Sequence, residues 1–483
     1  MNIKIYKKIS TTGNYFLNKK EFWFLKYINF FSVPKYHPYE ISVYDKLINK
    51  KTSPNTLRLN DQLFKKIKKY FNNIFDEVGE KPNIIENKRN YKTVILSNIN
   101  IDHKKYSTYK DIYYGELAKY FKKDFLFVYR NYLPQKSSFL LKKFNNKKDV
   151  LILNKKENLL TEIKIIIRSI YIFILCKKLY FKTKNSFKKK FLKEGSKYMR
   201  VGSSVANLRL VYQIERVLKN TNPNIFIYTF EGHAWEKALC SYIKIKFPKI
   251  KIYGYQFSTI LKNHNIFNRY QNKSHMPDKI LTKGTANYIK LKNSPLKKST
   301  DIEIIGFNNK KIPFFKKNKF KKNICLIGPE AMNTEIKSMF NFSKKIAIKN
   351  PNIQFIFRKH PSNEIDDFFT KKEIENLPKN FSISENILQK DIKKSSFILY
   401  RGSSIVIECV LNGLWPIYLD IGKIDIDIMH KISKKNRSIK KTSDFNKIVN
   451  FSRKKNSDFK KFYNYAKKFN SKINNKCSVF LES

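Results

Sequence analysis

At 483 residues the chain is long for a single core and fits two large domains with extensions. Its 99 Lys and Arg against 38 Asp and Glu leave a formal charge of +61, yet 42% hydrophobic and 15% aromatic residues, with only 13 Gly and 15 Pro, exclude a disordered polybasic chain. The lysines run along the whole sequence without forming one stripe, so charge alone does not mark a nucleic-acid-binding surface, although an anionic membrane surface is a suitable partner.

Residues 1–90 are rich in aromatics and lysines and carry no identifiable chemistry. The first residues, Met1-Asn-Ile-Lys-Ile-Tyr-Lys-Lys8, contain no apolar core of signal-peptide length, which makes the cytoplasm the expected location. From Thr93, short apolar runs (Val94–Ser97, Phe125–Tyr129, Val150–Leu153) alternate with longer helical stretches, the pattern of an α/β fold with a parallel sheet. Ile163–Phe181 is the most apolar segment. Lys164, Arg168, Lys177 and Lys178 interrupt it, so a buried or interfacial helix is expected and not a membrane span. Two further strands, Ile225–Phe230 and Lys251–Tyr255, end in Glu231-Gly-His-Ala-Trp-Glu236 and Gln256-Phe-Ser258; Asp278–Gly284 and Asp301–Gly306 follow, each closed by a glycine. The expected division is an extension over 1–90, α/β domains over 91–308 and 309–442, and a basic helical tail over 443–483 that packs outside or crosses back.

The second α/β unit opens with strand Asn323–Gly328 and helix Thr334–Lys349. Strand Ile353–Phe357 then runs into Arg358-Lys-His-Pro361, where a spacing of two puts Arg358 and His360 on one face and Pro361 ends the strand. Strand Ser396–Tyr400 leads through Arg401 into Gly402-Ser403-Ser404 and an apolar helix Ile405–Leu411, stopped by Asn412-Gly413 before strand Pro416–Leu419. The free N–H groups and hydroxyls at that helix start suit a phosphate, or a serine there simply caps the helix. Glu408, one turn on, is placed to accept from a ribose diol. At the carboxyl ends of parallel strands, this combination describes a nucleotide-sugar site.

Cys176, Cys240, Cys325, Cys409 and Cys477 are widely spaced without a C-x-x-C pair, so neither a disulfide framework nor a zinc knuckle is expected. Asp425-Ile-Asp427 matches an Asp-x-Asp metal pattern, but it follows the nucleotide strand, and no histidine has ligand spacing; no metal is expected. P-loop and dinucleotide glycine motifs are missing from the sequence.

Over Tyr91–Thr442 the chain resembles the two-domain glycosyltransferases of the GT-B fold, particularly sialyltransferases, capsule Kdo transferases and polyol-phosphate transferases of bacterial surface carbohydrate synthesis. Glu231-Gly232, His360-Pro361 and Ser403-Ser404 carry the resemblance. It departs at Thr229-Phe230, where sialyltransferases commonly have a second acid before the Glu231 position. The resemblance implies two Rossmann-like domains facing a cleft and transfer of a sugar, from a CMP-sugar by preference, to a surface glycan or lipid-linked acceptor, without a cofactor. Glu231 would be the base, or a first-turn acid that with Glu236 complements a helix dipole. His360, Ser403 and Ser404 would stabilise the departing phosphate, with Gly402 and Glu408 in the donor site and Arg358 adding charge. His233 is an alternative base, and Gln256 either contacts acceptor or donor or caps a turn. The expected location is the cytoplasm, at the inner face of the cytoplasmic membrane and held there by basic surface. The alternatives are a polyol-phosphate transferase, or a basic nucleic-acid-binding or scaffold protein without catalysis.

Overall fold

Two fully parallel sheets organise the chain. In the first, β1 (Thr93–Ile99), β2 (Phe125–Asn131), β3 (Val150–Leu153), β4 (Ile225–Thr229), β5 (Lys251–Gln256), β6 (Lys279–Thr282) and β7 (Asp301–Ile304) lie in the order β3-β2-β1-β4-β5-β6-β7. In the second, β8 (Ile324–Gly328), β9 (Gln354–Arg358), β10 (Phe381–Ser384), β11 (Phe397–Tyr400), β12 (Trp415–Leu419) and β13 (Ser438–Ile439) take the order β10-β9-β8-β11-β12-β13. The central strands β4, β11 and β12 are buried along their whole length, which is why they read as unbroken apolar runs. Each sheet is doubly wound, with its strand order reversing at β1/β4 and at β8/β11, where such sheets bind ligands. This is the pair of Rossmann-like domains that the GT-B resemblance implies. The computed structural model describes residues 3–33, 43–44, 47, 90–99, 111–115, 117–120, 124–133, 137–142, 149–200, 202–307, 322–360, 369, 371–422, 424–454 and 458–482. Pro361 and most of the Lys310–Lys322 boundary segment lie outside them.

The principal helices are α1 (Ile3–Asn18), α2 (Leu159–Lys182), α3 (Ser186–Lys197), α4 (Gly202–Thr221), α5 (Ala234–Lys246), α6 (Thr285–Lys292), α7 (Asn333–Lys349), α8 (Leu388–Lys394), α9 (Ile405–Leu411), α10 (Asp444–Lys454), α11 (Phe459–Lys467) and α12 (Ser478–Glu482). Residues 3–33, silent in the sequence, belong to the core of the first domain: Phe16, Phe30 and Phe31 all meet the ring of Phe191 in α3. Gly195 lets this cluster close, since a Cβ there would fall 2.6 Å from the Phe31 ring.

The chain's last described segment returns to the first domain. Ala286 N–H donates to Lys468 O (2.8 Å), Ser471 N–H to Lys283 O (2.9 Å) and Asn474 N–H to Ile305 O (2.9 Å). Gly306, at φ +88°, lies directly beneath the Lys472 backbone, where a side chain would overlap it. Beyond this crossing, Ile473, Cys477, Val479 and Phe480 pack among Ile95, Phe127, Tyr255 and Leu281 of the first sheet. All five cysteines are free and buried.

Candidate functional site

The carboxyl ends of both sheets open into one cavity of about 810 Å³, within the range of small-molecule sites. From the first domain come Ile112 and Tyr113 after β1, Phe257, Ser258 and Thr259 after β5, Lys283 after β6 and Phe307 after β7. From the second come Glu330, Ala331, Met332 and Thr334 after β8, His360 after β9, and Gly402, Ser403 and Ser404 after β11.

Buried polar contacts hold these loops in place. Asp111 accepts the Ser97 hydroxyl (2.6 Å) and the N–H groups of Tyr113 (2.8 Å) and Tyr114 (2.7 Å), which fixes the Tyr113 wall; burial pushes its carboxyl up despite these bonds. Tyr113 meets Phe257 edge-on at 4.7 Å. On the other side Arg401 pairs with Glu335 of α7 and donates to Ile421 O (2.6 Å), tying the turn before α9 to two neighbouring elements. A Cβ on Gly402 would fall 2.8 Å from Ile426 Cδ1 and 3.1 Å from Glu330 Oε2, so the glycine lets the Glu330 carboxylate lie against this turn.

Of the residues read from the sequence, His360, Gly402, Ser403 and Ser404 share the cavity. His360 is half-buried, and burial lowers its pKa, so its imidazole is neutral at pH 7 and offers one N–H donor and one acceptor nitrogen. Ser404 precedes a helix of only seven residues and makes no side-chain cap there.

Arg358 is placed elsewhere: it pairs with the buried Asp391 (2.8 Å) and donates to Asn386 O (2.6 Å). Its strand ends at Arg358, and His360 lines the cavity while Arg358 does not. Gln256 is fully buried, donating to Ser258 O (2.5 Å) and accepting from Asn287 (2.5 Å); it shapes the loop after β5 and has no surface left for a ligand. Glu408 is exposed outside the cavity lining, where its carboxylate accepts from Gln389. Glu231 and His233 follow β4 at the switch point, with His233 Nε2 3.4 Å from Glu231 Oε2, also outside that lining. The helix-capping acid is Glu236, whose carboxylate accepts the N–H groups of Glu231 (3.0 Å) and Gly232 (2.6 Å) while Lys237 donates to Gly232 O (2.5 Å). Burial raises the Glu236 pKa and lowers that of Lys237. Asp427, the second acid of the Asp-x-Asp pattern, is committed to a buried ion pair with Arg437 (2.6 Å).

Lys283 and Glu330 escaped the sequence reading. Each follows a strand and adjoins a turn residue, Gly284 or Pro329, which is the signal that could have found them. Lys283 is half-buried, its ammonium 5.3 Å from the centre of the Phe307 ring, and burial brings its pKa down to about 8. Among the described residues the cavity thus sets Lys283, the neutral His360 imidazole and the hydroxyls of Ser258, Ser403 and Ser404 around a space that also holds the Glu330 carboxylate, a lining suited to a phosphate ester carrying hydroxyl groups.

No protein-family model matches the sequence, and no curated protein matches it. Among solved structures, a spinosyn rhamnosyltransferase complexed with thymidine diphosphate is similar over 81% of this chain and 100% of its own, at 8% identity and a TM-score of 0.46. The glycotransferase of kitacinnamycin is similar over 78% and 96% (8% identity, TM-score 0.44). A UDP-GlcNAc 2-epimerase from Neisseria meningitidis bound to UDP-GlcNAc is similar over 79% and 95% (12% identity, TM-score 0.42). At such identities and scores these likenesses carry no argument about what the cavity binds, which rests on its own residues.

Proposed function

We propose that this protein is a glycosyltransferase that moves a sugar from a nucleotide-activated donor to a surface glycan or lipid-linked acceptor at the membrane. The observation that carries the reading is the cavity itself, formed by the carboxyl ends of two doubly wound sheets and lined by Lys283, His360, Ser403 and Ser404. In the reaction, an acceptor hydroxyl oxygen bonds to the anomeric carbon as the bond from that carbon to the donor phosphate breaks. The phosphate leaves with both electrons, and the hydroxyl proton passes to a base. His360 N–H, the serines and Lys283 would donate to the leaving phosphate. On the acceptor side Glu231, beside His233, is the proposed base; Glu330 is the carboxylate inside the cavity, and Glu231→Gln and Glu330→Gln separate their roles. A CMP-sugar is the first donor to test, because Lys283, the one lysine of the lining among the described residues, balances a single phosphodiester charge.

Calorimetric titration with CMP, CDP, UDP and GDP tests this, and the expected result is binding of at least one nucleotide that weakens in Lys283→Met. Protonated Lys283 binds phosphate and its pKa is about 8, so wild-type affinity should fall as pH rises through about 8, with proton uptake on binding above that point. Lys283→Met should flatten the profile. Silence from all four nucleotides would refute the proposal. Because neutralisation here uses a lysine, a histidine and serines, turnover is also expected to persist in EDTA; loss restored by magnesium or manganese would show that a metal ion takes part.

A further inference from the structure

α2 is apolar on both faces, burying Ile165, Ile172 and Cys176 while a second apolar row faces outward. Its acid, Glu162, faces inward and is fully buried, bound by Arg209 of α4 through Nε (2.5 Å) and Nη2 (2.7 Å), and Asn158 caps the helix by accepting Thr161 N–H. Its outward face, where a surface helix normally carries polar residues, presents Leu160, Ile163, Ile167, Ile170, Ile174 and Phe181 at spacings of three, four and seven. Leu160 is 72% exposed, Ile167 62%, Ile170 55% and Phe181 73%. Exposed Lys164, Lys178 and Lys182 border this stripe. At about 1.5 Å per residue the helix is on the order of 36 Å long, a continuous apolar ridge with a basic margin. No helix among the described residues is long and apolar enough to cross a membrane.

We propose that this face of α2 docks the protein on an anionic bilayer surface, with the isoleucines entering the boundary between headgroups and acyl chains and the lysines meeting lipid phosphates. A helix whose exposed face is an apolar stripe edged by lysines is the form that lies in a membrane interface. Charge selects lipid over a second copy of the chain, since two such margins on molecules of formal charge +61 repel each other. The inference rests on the membrane part of the function proposed above and is independent of its sugar chemistry.

The test is sedimentation of the full-length protein with vesicles of mixed phosphatidylglycerol and phosphatidylcholine and with phosphatidylcholine alone. Wild type should bind the mixed vesicles more tightly. Ile163→Ser/Ile167→Ser/Ile170→Ser/Ile174→Ser, all on the exposed face, should lower partitioning at least about tenfold. Lys164→Gln/Lys178→Gln/Lys182→Gln should lower it about tenfold or more on the anionic vesicles only. Nucleotide titration of the same variants keeps the two readings apart: vesicle binding that depends on α2 without any nucleotide binding supports docking while removing the transferase. The docking proposal is overturned if the serine variant binds like wild type, if wild type binds neither vesicle, or if light scattering shows a wild-type dimer that the serine changes dissociate.

Discussion

Replacing Arg437 with alanine is expected to destabilise the second domain by about 3–5 kcal/mol, the cost of leaving a buried charge without its partner. Arg437 is fully buried: Nη2 contacts Asp427 (2.6 Å), Met429 O (2.8 Å) and Ile432 O (2.8 Å), and Nη1 contacts the Tyr400 hydroxyl (2.9 Å). Tyr400 in turn donates to Asp427 (2.7 Å), so three buried side chains share one network. Removing the guanidinium leaves the buried Asp427 carboxylate with the Tyr400 hydroxyl and the Met429 N–H as donors but without its cation, and releases the chain between β12 and β13. The paired change Arg437→Met/Asp427→Leu should be much milder, because it removes both charges together. Chemical denaturation followed through Trp415, buried in the same domain, measures both. A shift below about 1 kcal/mol for the single variant would show that water enters and compensates.

His360→Ala is expected to lower turnover by about 10²–10³, the usual consequence of deleting one donor to a departing oxyanion, with a smaller change in substrate affinity. His360→Gln keeps an N–H donor at that position and should recover part of the rate, which a purely structural histidine would not show. Arg358→Ala, two residues away, is the contrast: its loss strips the buried Asp391 of its cation and should lower stability while leaving activity per folded molecule nearly unchanged. Equal losses of turnover in His360→Ala and Arg358→Ala, at equal folded fraction, would mean that the loop after β9 acts through its shape and not through the imidazole.

Most of the sheets were legible because doubly buried parallel strands leave unbroken apolar runs, as in Ile225-Phe-Ile-Tyr228 and Phe397-Ile-Leu-Tyr400. β10, Phe381-Ser-Ile-Ser384, went unread: it is an edge strand with polar residues and too short to show a period. The structural part played by residues 3–33 was illegible for another reason, since Phe16 and Phe191 meet across a sequence separation that no local pattern encodes. In the cavity, Gly402, Ser403 and Ser404 were found from their position after a strand. Gln256 closes a strand, one residue short of the lining at Phe257, and turns inward to Asn287, and Lys283 was passed over as one lysine among many. Strand ends locate a site; which side chains face it depends on loop geometry that the sequence does not spell out.

The return of the chain's last described residues to the first sheet bears on how the molecule is made. Residues 473–480 complete the apolar layer around Ile95 and Leu281, yet a ribosome adds them only after the whole second domain has been synthesised. A nascent chain that has just produced β7 therefore carries a first sheet with one face only partly covered, by Tyr114, Leu117, Leu133 and Leu140, and it must wait for the second domain before completing that layer. Folding of the first domain as it emerges is therefore expected to stop short of its final packing until those residues arrive. Until synthesis ends, the exposed layer is a natural substrate for a chaperone, and a translation product arrested at residue 470 should remain protease-sensitive in its first domain although every strand of that sheet has been made.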